Sequence, residues 1–191
     1  MAAHHPRTGY LEITVGPMWA GKSTALIEQQ NRFANILKYN TLVINFSDVS
    51  ETDIIQSHDN KSCHAIRLKH LTMINSLDIY DKAEKILIDE AQFFDDLFEF
   101  CMFSVEQKRK DVYVYGLCGD FLRDPFGDIP KLYSKADKFT KLNAICMICS
   151  EQGQNEIPGI FTMRTTEDTG QVLIGGAEKY KCVCRYHYLK K

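Results

Sequence analysis

Apolar runs and polar stretches alternate along this chain with a regular beat. Leu11-Glu12-Ile13-Thr14-Val15, Thr41-Leu42-Val43-Ile44-Asn45-Phe46, Lys85-Ile86-Leu87-Ile88 and Val112 to Leu117 are short, apolar and rich in β-branched residues, as buried strands are. Between them lie segments with helical spacing. Thr24 to about Lys38 puts Leu26, Ile27, Ala34 and Leu37 broadly on one face, and Asp95 to Lys108 is amphipathic. Ala65 to Leu68 reads as a short strand, Leu71 to Tyr80 as a short helix, and Phe139 to Ile145 as a further strand. Strands alternating with helices predict an α/β fold with a mostly parallel, doubly wound sheet.

The polar stretches are uneven. Ser47 to Cys63, with Asp48, Glu51, Asp53, His58, Asp59 and Asn60, lacks sustained periodicity and predicts a long loop, the kind that is usually functional or mobile. Gly119 to Pro130 is a second loop, carrying Phe121 and Phe126. From Cys146 onward the texture changes to short β-like pieces (Gly159 to Thr165, Gln171 to Ile174), turn residues and paired cysteines. The expected organisation is a disordered leader over residues 1–9, an α/β domain over 10–141 and a small second domain over 142–191.

Composition narrows the function classes. The 191 residues can bury a sizeable core, and 45% hydrophobic with 25% charged residues is ordinary for a globular protein. Lys plus Arg (23) nearly balances Asp plus Glu (25), for a net charge of −2, so no nucleic-acid-binding surface is indicated. No apolar run approaches the roughly 20 residues that span a bilayer. The first residues lack a signal-peptide core, so a cytoplasmic location is expected and membrane partners are not. The seven cysteines then read as thiols or metal ligands.

The first strand leads into Gly16-Pro17-Met18-Trp19-Ala20-Gly21-Lys22-Ser23, followed by Thr24 and the first helix. Strand, glycine loop, helix is the context of a G-x-x-x-x-G-K-[ST] phosphate loop. Its backbone N–H groups and helix N-terminus cradle anionic oxygens. Lys22 would reach the β- and γ-phosphates of ATP, and Ser23 would ligate Mg²⁺. Asp89-Glu90 closes a neighbouring strand. An acid there holds Mg²⁺, which fits Asp89, while Glu90 could take a proton from an attacking hydroxyl or water. Strand alternation would turn Glu90 away unless the chain bends.

Cys146-Met147-Ile148-Cys149 and Cys184-Arg185-Tyr186-His187 share the spacing that brings four ligands to one structural Zn²⁺. Cys182 is a rival ligand without the usual gap; Cys63, Cys101 and Cys118 read as buried thiols. Phe93, Phe94, Phe121, Phe126 and Tyr180 lie beside polar or glycine-rich turns, where they could stack a base or simply pack the core. Arg164 could meet a phosphate or lie on the surface. These features leave open a nucleoside kinase, a phosphate-loop kinase for another nucleoside or nucleotide, and a nucleotide-binding switch.

An ordered set of motifs goes further. It begins with Gly16 to Thr24 and Ser57-His58-Asp59, then Ile88-Asp89-Glu90-Ala91-Gln92-Phe93-Phe94, Gly116 to Phe121 and Pro125-Phe126-Gly127. It ends with Cys146 to Cys149, Phe161-Thr162-Met163-Arg164, Ile174-Gly175-Gly176-Ala177-Glu178-Lys179-Tyr180 and the final Cys-x₂-His. On these residues, across 10–191, the chain resembles the zinc-containing thymidine kinases shared by animal cytosol, bacteria and large DNA viruses.

The resemblance implies transfer of the ATP γ-phosphoryl group to the 5′-hydroxyl of thymidine or deoxyuridine. It makes Glu90 the general base and has Gly16, Pro17, Met18, Trp19, Ala20, Gly21, Lys22, Ser23 and Thr24 hold phosphates. Arg164 faces the transfer site, and Ser23 and Asp89 serve Mg²⁺. Phe93, Phe121 and Phe126 wall a nucleoside pocket. Met18, Leu117 and Thr162 lie around the thymine methyl, and Tyr180 lies near base and sugar. Gln171, Val172, Leu173, Ile174 and Gly175 offer backbone groups to the base edge, in a zinc-tied lasso closing over the acceptor. A homotetramer and feedback inhibition by thymidine triphosphate are further implications. The family's Asp-x-Arg after the second strand here reads Asp48-Val49-Ser50, keeping Asp48 and losing the arginine. The longer C-terminal tail of many members is missing, which suits a viral or bacterial member.

Overall fold

The computed structural model describes residues 8–47, 52–57, 60–173 and 175–190. The elements run β1 (Tyr10–Gly16), α1 (Lys22–Asn31), β2 (Thr41–Phe46), β3 (Ile54–Gln56), β4 (Ser62–His64), β5 (Ile66–Leu68), α2 (Asp78–Lys82), β6 (Lys85–Ile88), α3 (Leu97–Met102) and β7 (Asp111–Leu117). They continue with α4 (Ile129–Leu132), β8 (Lys138–Lys141), β9 (Ala144–Ile145), α5 (Met147–Glu151), β10 (Pro158–Gly159), β11 (Phe161–Arg164), β12 (Tyr180–Val183) and α6 (Arg185–Leu189).

Six strands form the central sheet in the order β5-β2-β6-β7-β1-β8. Every pairing in it is parallel. Strand alternation divides the side chains between two cores. Leu42, Ile44, Ile86, Ile88, Val112 and Val114 face Tyr80, Phe94, Leu97, Phe100, Ile129 and Leu132 on one side. Val43, Leu87, Tyr113 and Tyr115 meet Leu26, Ile27, Phe33, Ile55 and Ala65 on the other. Covering both faces explains why these strands read as near-continuous apolar runs. The carboxyl ends of β1, β2, β6 and β7 share one edge, where parallel α/β sheets bind ligands.

Several elements differ from the sequence expectation. The first helix starts at Lys22 and passes after Asn31 into a π-helical turn over Arg32–Ile36, with Leu37 N–H donating to the Arg32 carbonyl at 2.9 Å. The wider turn buries Phe33 and leaves Leu37 48% exposed, so Phe33 rather than Leu37 anchors this end. The segment 95–108 repeats the device: α3 is six residues, then Phe103–Gln107 is π-helical. Both turns end on a non-glycine residue with positive φ, Lys38 (61°) and Arg109 (56°).

The polar stretch 47–63 is not all loop. β3 and β4 form an antiparallel hairpin that packs Ile55 beside α1. Leu71–Tyr80 splits into a 3₁₀ turn (Leu71–Ile74) and α2, because Asn75 to Leu77 turn the chain. Phe139–Ile145 divides into β8, which joins the sheet, and β9, which pairs with β10 instead. Gln171 to Leu173 form no strand. Their backbone is irregular, and the carbonyl oxygens of Gln171 and Leu173 accept hydrogen bonds from side chains. Ile174, Asp48 and residues 1–7 of the expected leader lie outside the described residues.

Candidate active site

The loop after β1 is held in a cradle shape by its own bonds. Ala20 N–H donates to the Pro17 carbonyl at 3.3 Å, and Ala25 N–H to the Gly21 carbonyl at 2.9 Å as α1 begins. Gly21 sits at φ 79°, a left-handed conformation that costs glycine little and other residues more. Trp19, the single tryptophan, also has positive φ, at 62°. Lys22 is buried and folds back so that Nζ donates to the Pro17 carbonyl at 2.9 Å. That carbonyl is a stand-in acceptor at the spot where an anionic oxygen would draw the ammonium outward. Met18 N–H donates to Thr162 Oγ1 at 3.1 Å, tying the loop to β11.

At the end of β6, Ser23 Oγ donates to Asp89 Oδ2 at 3.1 Å. Asp89 is 3% exposed, and its Oδ1 is buried without a hydrogen-bond partner. Burial, and then the neighbouring Glu90 charge, push the Asp89 carboxyl up to about 7. A hydroxyl and a carboxylate oxygen lacking a partner are the donor set a hard divalent cation takes, so these residues fit Mg²⁺. The chain then bends. Glu90 has φ 50° and ψ 37°, which turns its side chain into the same cavity as Lys22 instead of away from it. Gln92 Nε2 donates to Glu90 Oε2 at 2.6 Å.

The cavity holds about 310 Å³. Met18 to Thr24 form its floor, Glu90 and Phe93 one wall, and Leu117, Phe121 and Phe126 another. Thr162, Arg164, Gln171, Val172, Leu173, Gly175 and Tyr180 close it from above. Phe93 meets Phe126 edge-on with ring centres 5.4 Å apart, so the two rings pack on each other and present an aromatic surface to the cavity. Gly16, Pro17 and Asp89 are not among the residues that line it.

The Arg164 guanidinium, 1% exposed, belongs to the cavity lining and is engaged by the covering loop. Its Nη1 donates to the carbonyls of Asp168 and Gly170, its Nη2 to the Gln171 carbonyl and the Tyr180 hydroxyl. Tyr180 Oη in turn donates to the Leu173 carbonyl at 2.7 Å. Only Nε has no partner, so this arginine organises the covering loop.

The sequence reading missed five lining residues, Gly119 among them. Gln56 and Ser57 arrive on the β3–β4 hairpin, whose three-residue strands carry too little pattern to see. Gln92 is a lone amide inside Ala91-Gln92-Phe93-Phe94, a clue in hindsight. Asp120 Oδ1 accepts from Leu122 and Asp124 N–H, while its Oδ2 takes Gln171 Nε2 at 2.9 Å, joining two loops far apart in sequence.

Beyond the main sheet, Cys146 and Cys184 precede α5 and α6, and Cys149 and His187 sit one helical turn further on. His187 Nδ1 is 3.5, 3.4 and 3.5 Å from the Sγ atoms of Cys146, Cys149 and Cys184. All four ligand atoms lie within 4.8 Å of one another. A tetrahedron with Zn–S of about 2.3 Å has edges of about 3.8 Å, so this cluster could hold zinc. Cys182 is buried outside it, Cys101 is buried in the core, and Cys63 and Cys118 are half-buried. In a second group, His70 and Asp95 are exposed and Asp96 is half-buried, spent accepting from Leu71 and Thr72 N–H.

A parallel sheet with a phosphate loop, a neighbouring acid pair and a closed aromatic cavity defines a phosphate-loop phosphotransferase. The match to known proteins sharpens the class. Residues 9–188 match the family described as thymidine kinase. The chain is 41% identical over 185 residues to the thymidine kinase of Yaba monkey tumor virus, covering 96% of this chain and 97% of that one. It is 38% identical to the thymidine kinase of Oryza sativa (99% and 69% covered) and 34% to the cytosolic thymidine kinase of Bos taurus (96% and 73%). The chain belongs to the thymidine kinase family.

Proposed function

We propose that this chain transfers the γ-phosphoryl group of ATP to the 5′-hydroxyl of thymidine, and of deoxyuridine, giving the nucleoside monophosphate and ADP. The observation that carries this is the meeting of Glu90 with the Lys22–Ser23 loop in one cavity lined by Phe93, Phe121 and Phe126. Glu90 takes the hydroxyl proton as the 5′-oxygen bonds to the γ-phosphorus. The bond from that phosphorus to the β,γ-bridging oxygen breaks, and its electron pair leaves with ADP. Lys22 leaves the Pro17 carbonyl for the β/γ oxygens, and the loop amides hold the remaining phosphate charge. Ser23 and Asp89 would hold Mg²⁺, which when bound neutralises charge on the β- and γ-phosphates.

Phe93, Phe121 and Phe126 grip the nucleoside, Met18, Leu117 and Thr162 surround the thymine methyl, and Gln171 to Gly175 meet the base edge beside Tyr180. Asp48 adds a sugar contact. Met18 thus serves donor and acceptor through one turn. Cys146, Cys149, Cys184 and His187 take a structural Zn²⁺ that ties down residues 142–191 against the kinase domain of 10–141. A homotetramer, inhibition by thymidine triphosphate and a cytoplasmic setting complete the reading. The name of the bovine relative supports the last, and no helix among the described residues is long and apolar enough to cross a membrane.

The test is Glu90→Gln assayed with thymidine, deoxycytidine and thymidylate, with and without thymidine triphosphate. It should lower kcat for thymidine about 10²–10⁴-fold with little change in KM for ATP. An unchanged kcat removes Glu90 as the base. Preferred turnover of deoxycytidine or thymidylate by the unaltered protein removes thymidine as the substrate.

A further inference from the structure

Glu90, half-buried, poses a problem for its own chemistry. It sits in a left-handed turn, on a side chain with three rotatable bonds, at the end of a strand that has already stopped. A base must hold its oxygen within hydrogen-bond reach of the acceptor hydroxyl, and loose placement forfeits much of the rate. Among the described residues, one side chain bonds its carboxylate: Gln92, through Nε2 at 2.6 Å to Oε2.

Gln92 is itself unusually confined. It is 3% exposed, and its Oε1 accepts Leu117 N–H at 3.0 Å. Two glycines make room for it. A Cβ on Gly116 would lie 2.7 Å from Gln92 Oε1 and 2.4 Å from Ile129 Cδ1. One on Gly127, whose φ is +59°, would lie 2.2 Å from the Gln92 carbonyl oxygen. The amide therefore has both ends bonded and its neighbours tight against it, and its orientation is set by the end of β7. Its acceptor end alone could be explained as satisfying a buried N–H. Its donor end, aimed at a carboxylate in the cavity, goes beyond that need.

We propose that Gln92 is a positioning residue for phosphoryl transfer: it pins Glu90 Oε2 so that Oε1 faces the acceptor hydroxyl. This rests on the reading of Glu90 as the base. Because the same amide holds Leu117, expected beside the thymine methyl, the wall that seats the base and the group that takes the proton share one rigid support. Gln92 touches neither substrate in this account; it acts through Glu90.

Two substitutions separate the roles of its ends. Gln92→Glu keeps an oxygen for Leu117 N–H and loses the amide donor toward Glu90; Gln92→Met loses both bonds at similar volume. Each should lower kcat about 10- to 100-fold, with KM for ATP and thymidine within about threefold of the unaltered protein. Thermal unfolding and ATP binding checked on the same preparations show whether the fold survives. The decisive measurement is the double variant Glu90→Gln with Gln92→Met, which should be no slower than Glu90→Gln alone. Wild-type kcat in Gln92→Glu, or a double variant slower by the full product of the two single losses, overturns the positioning role and leaves Glu90 as the base. An undiminished kcat in Glu90→Gln overturns both.

Discussion

The Arg164 guanidinium carbon lies 3.7 Å from the centre of the Phe121 ring. A cation stacked this closely on an aromatic face is attracted by the ring's quadrupole, more so when removed from water. The other side of the relationship is the covering loop, whose carbonyls at 168, 170 and 171 the same guanidinium collects. One buried side chain thus joins the wall of the cavity to its cover.

Arg164→Met should therefore leave three carbonyls and the Tyr180 hydroxyl without their donor. Hydrogen bonds to charged groups are worth about 1.5–3 kcal/mol each, partly recovered here by water reaching the loop. KM for thymidine should rise tenfold or more while KM for ATP changes little. Steady-state kinetics with each substrate varied in turn would check it; an equal rise for ATP would point to a phosphate contact instead. Arg164→Lys should rescue little, since an ammonium cannot span the fork.

Asp89 makes ligand-free stability fall with pH. Its folded carboxyl holds a proton up to about 7, against an ordinary value of 3.8. Below about pH 4 both folded and unfolded chains carry that proton and nothing is lost. Between about 4 and 7 the folded state binds more protons than the unfolded, so stability drops as pH rises; above 7 the full penalty stands. Asp89→Asn should then stabilise the ligand-free protein by about 2–4 kcal/mol at pH 8 and by almost nothing at pH 4, at about 1.4 kcal/mol per tenfold change in proton affinity. Thermal unfolding at the two pH values reads this directly. Adding Mg²⁺ with ATP should reverse the order, because the aspartate gains a cation that the asparagine cannot hold as well.

The Cys/His cluster has few apolar neighbours of its own. Its core comprises Val183 and the three cysteines, with Ile148, Phe161, Met163 and Tyr188 packed against it. So little buried surface makes a metal a large part of local stability. Elemental analysis should find one zinc per chain, and Cys149→Ser should lower it and the unfolding temperature together. Full zinc in a Cys146→Ser, Cys149→Ser double variant would contradict the site. Tyr188, on α6, donates through Oη to the Phe121 carbonyl at 2.8 Å. Tyr188→Phe should keep the zinc and raise KM for thymidine a few-fold, about 1 kcal/mol.

Trp19 offers an optical test of the phosphate loop. It lines the cavity and is the chain's single tryptophan, so its emission has one source. Titrating ATP with Mg²⁺ should change that emission saturably, and Lys22→Met should weaken the response at least tenfold in ATP concentration. An unchanged spectrum at saturating ATP would place the triphosphate elsewhere.

Much of this was readable from sequence because the controlling interactions are local. The phosphate loop is eight consecutive residues whose shape depends on Gly21 and the start of α1. The cysteine pairs work because residues three apart on one helical turn share a face. The sheet strands announced themselves because burial on both faces leaves no room for polar residues. By itself, then, the chain determined the order of strands and helices, the glycine-rich loop motif and the four side chains of the Cys/His cluster that could hold zinc. Tertiary structure decided the rest. Glu90 faces the cavity through one left-handed turn that breaks strand alternation, Gln92 reaches Leu117 at the end of β7, and Arg164 gathers the covering loop. Each depends on backbone turns and side-chain hydrogen bonds that apolar periodicity does not encode, and the Gln92–Leu117 bond spans 25 residues of sequence.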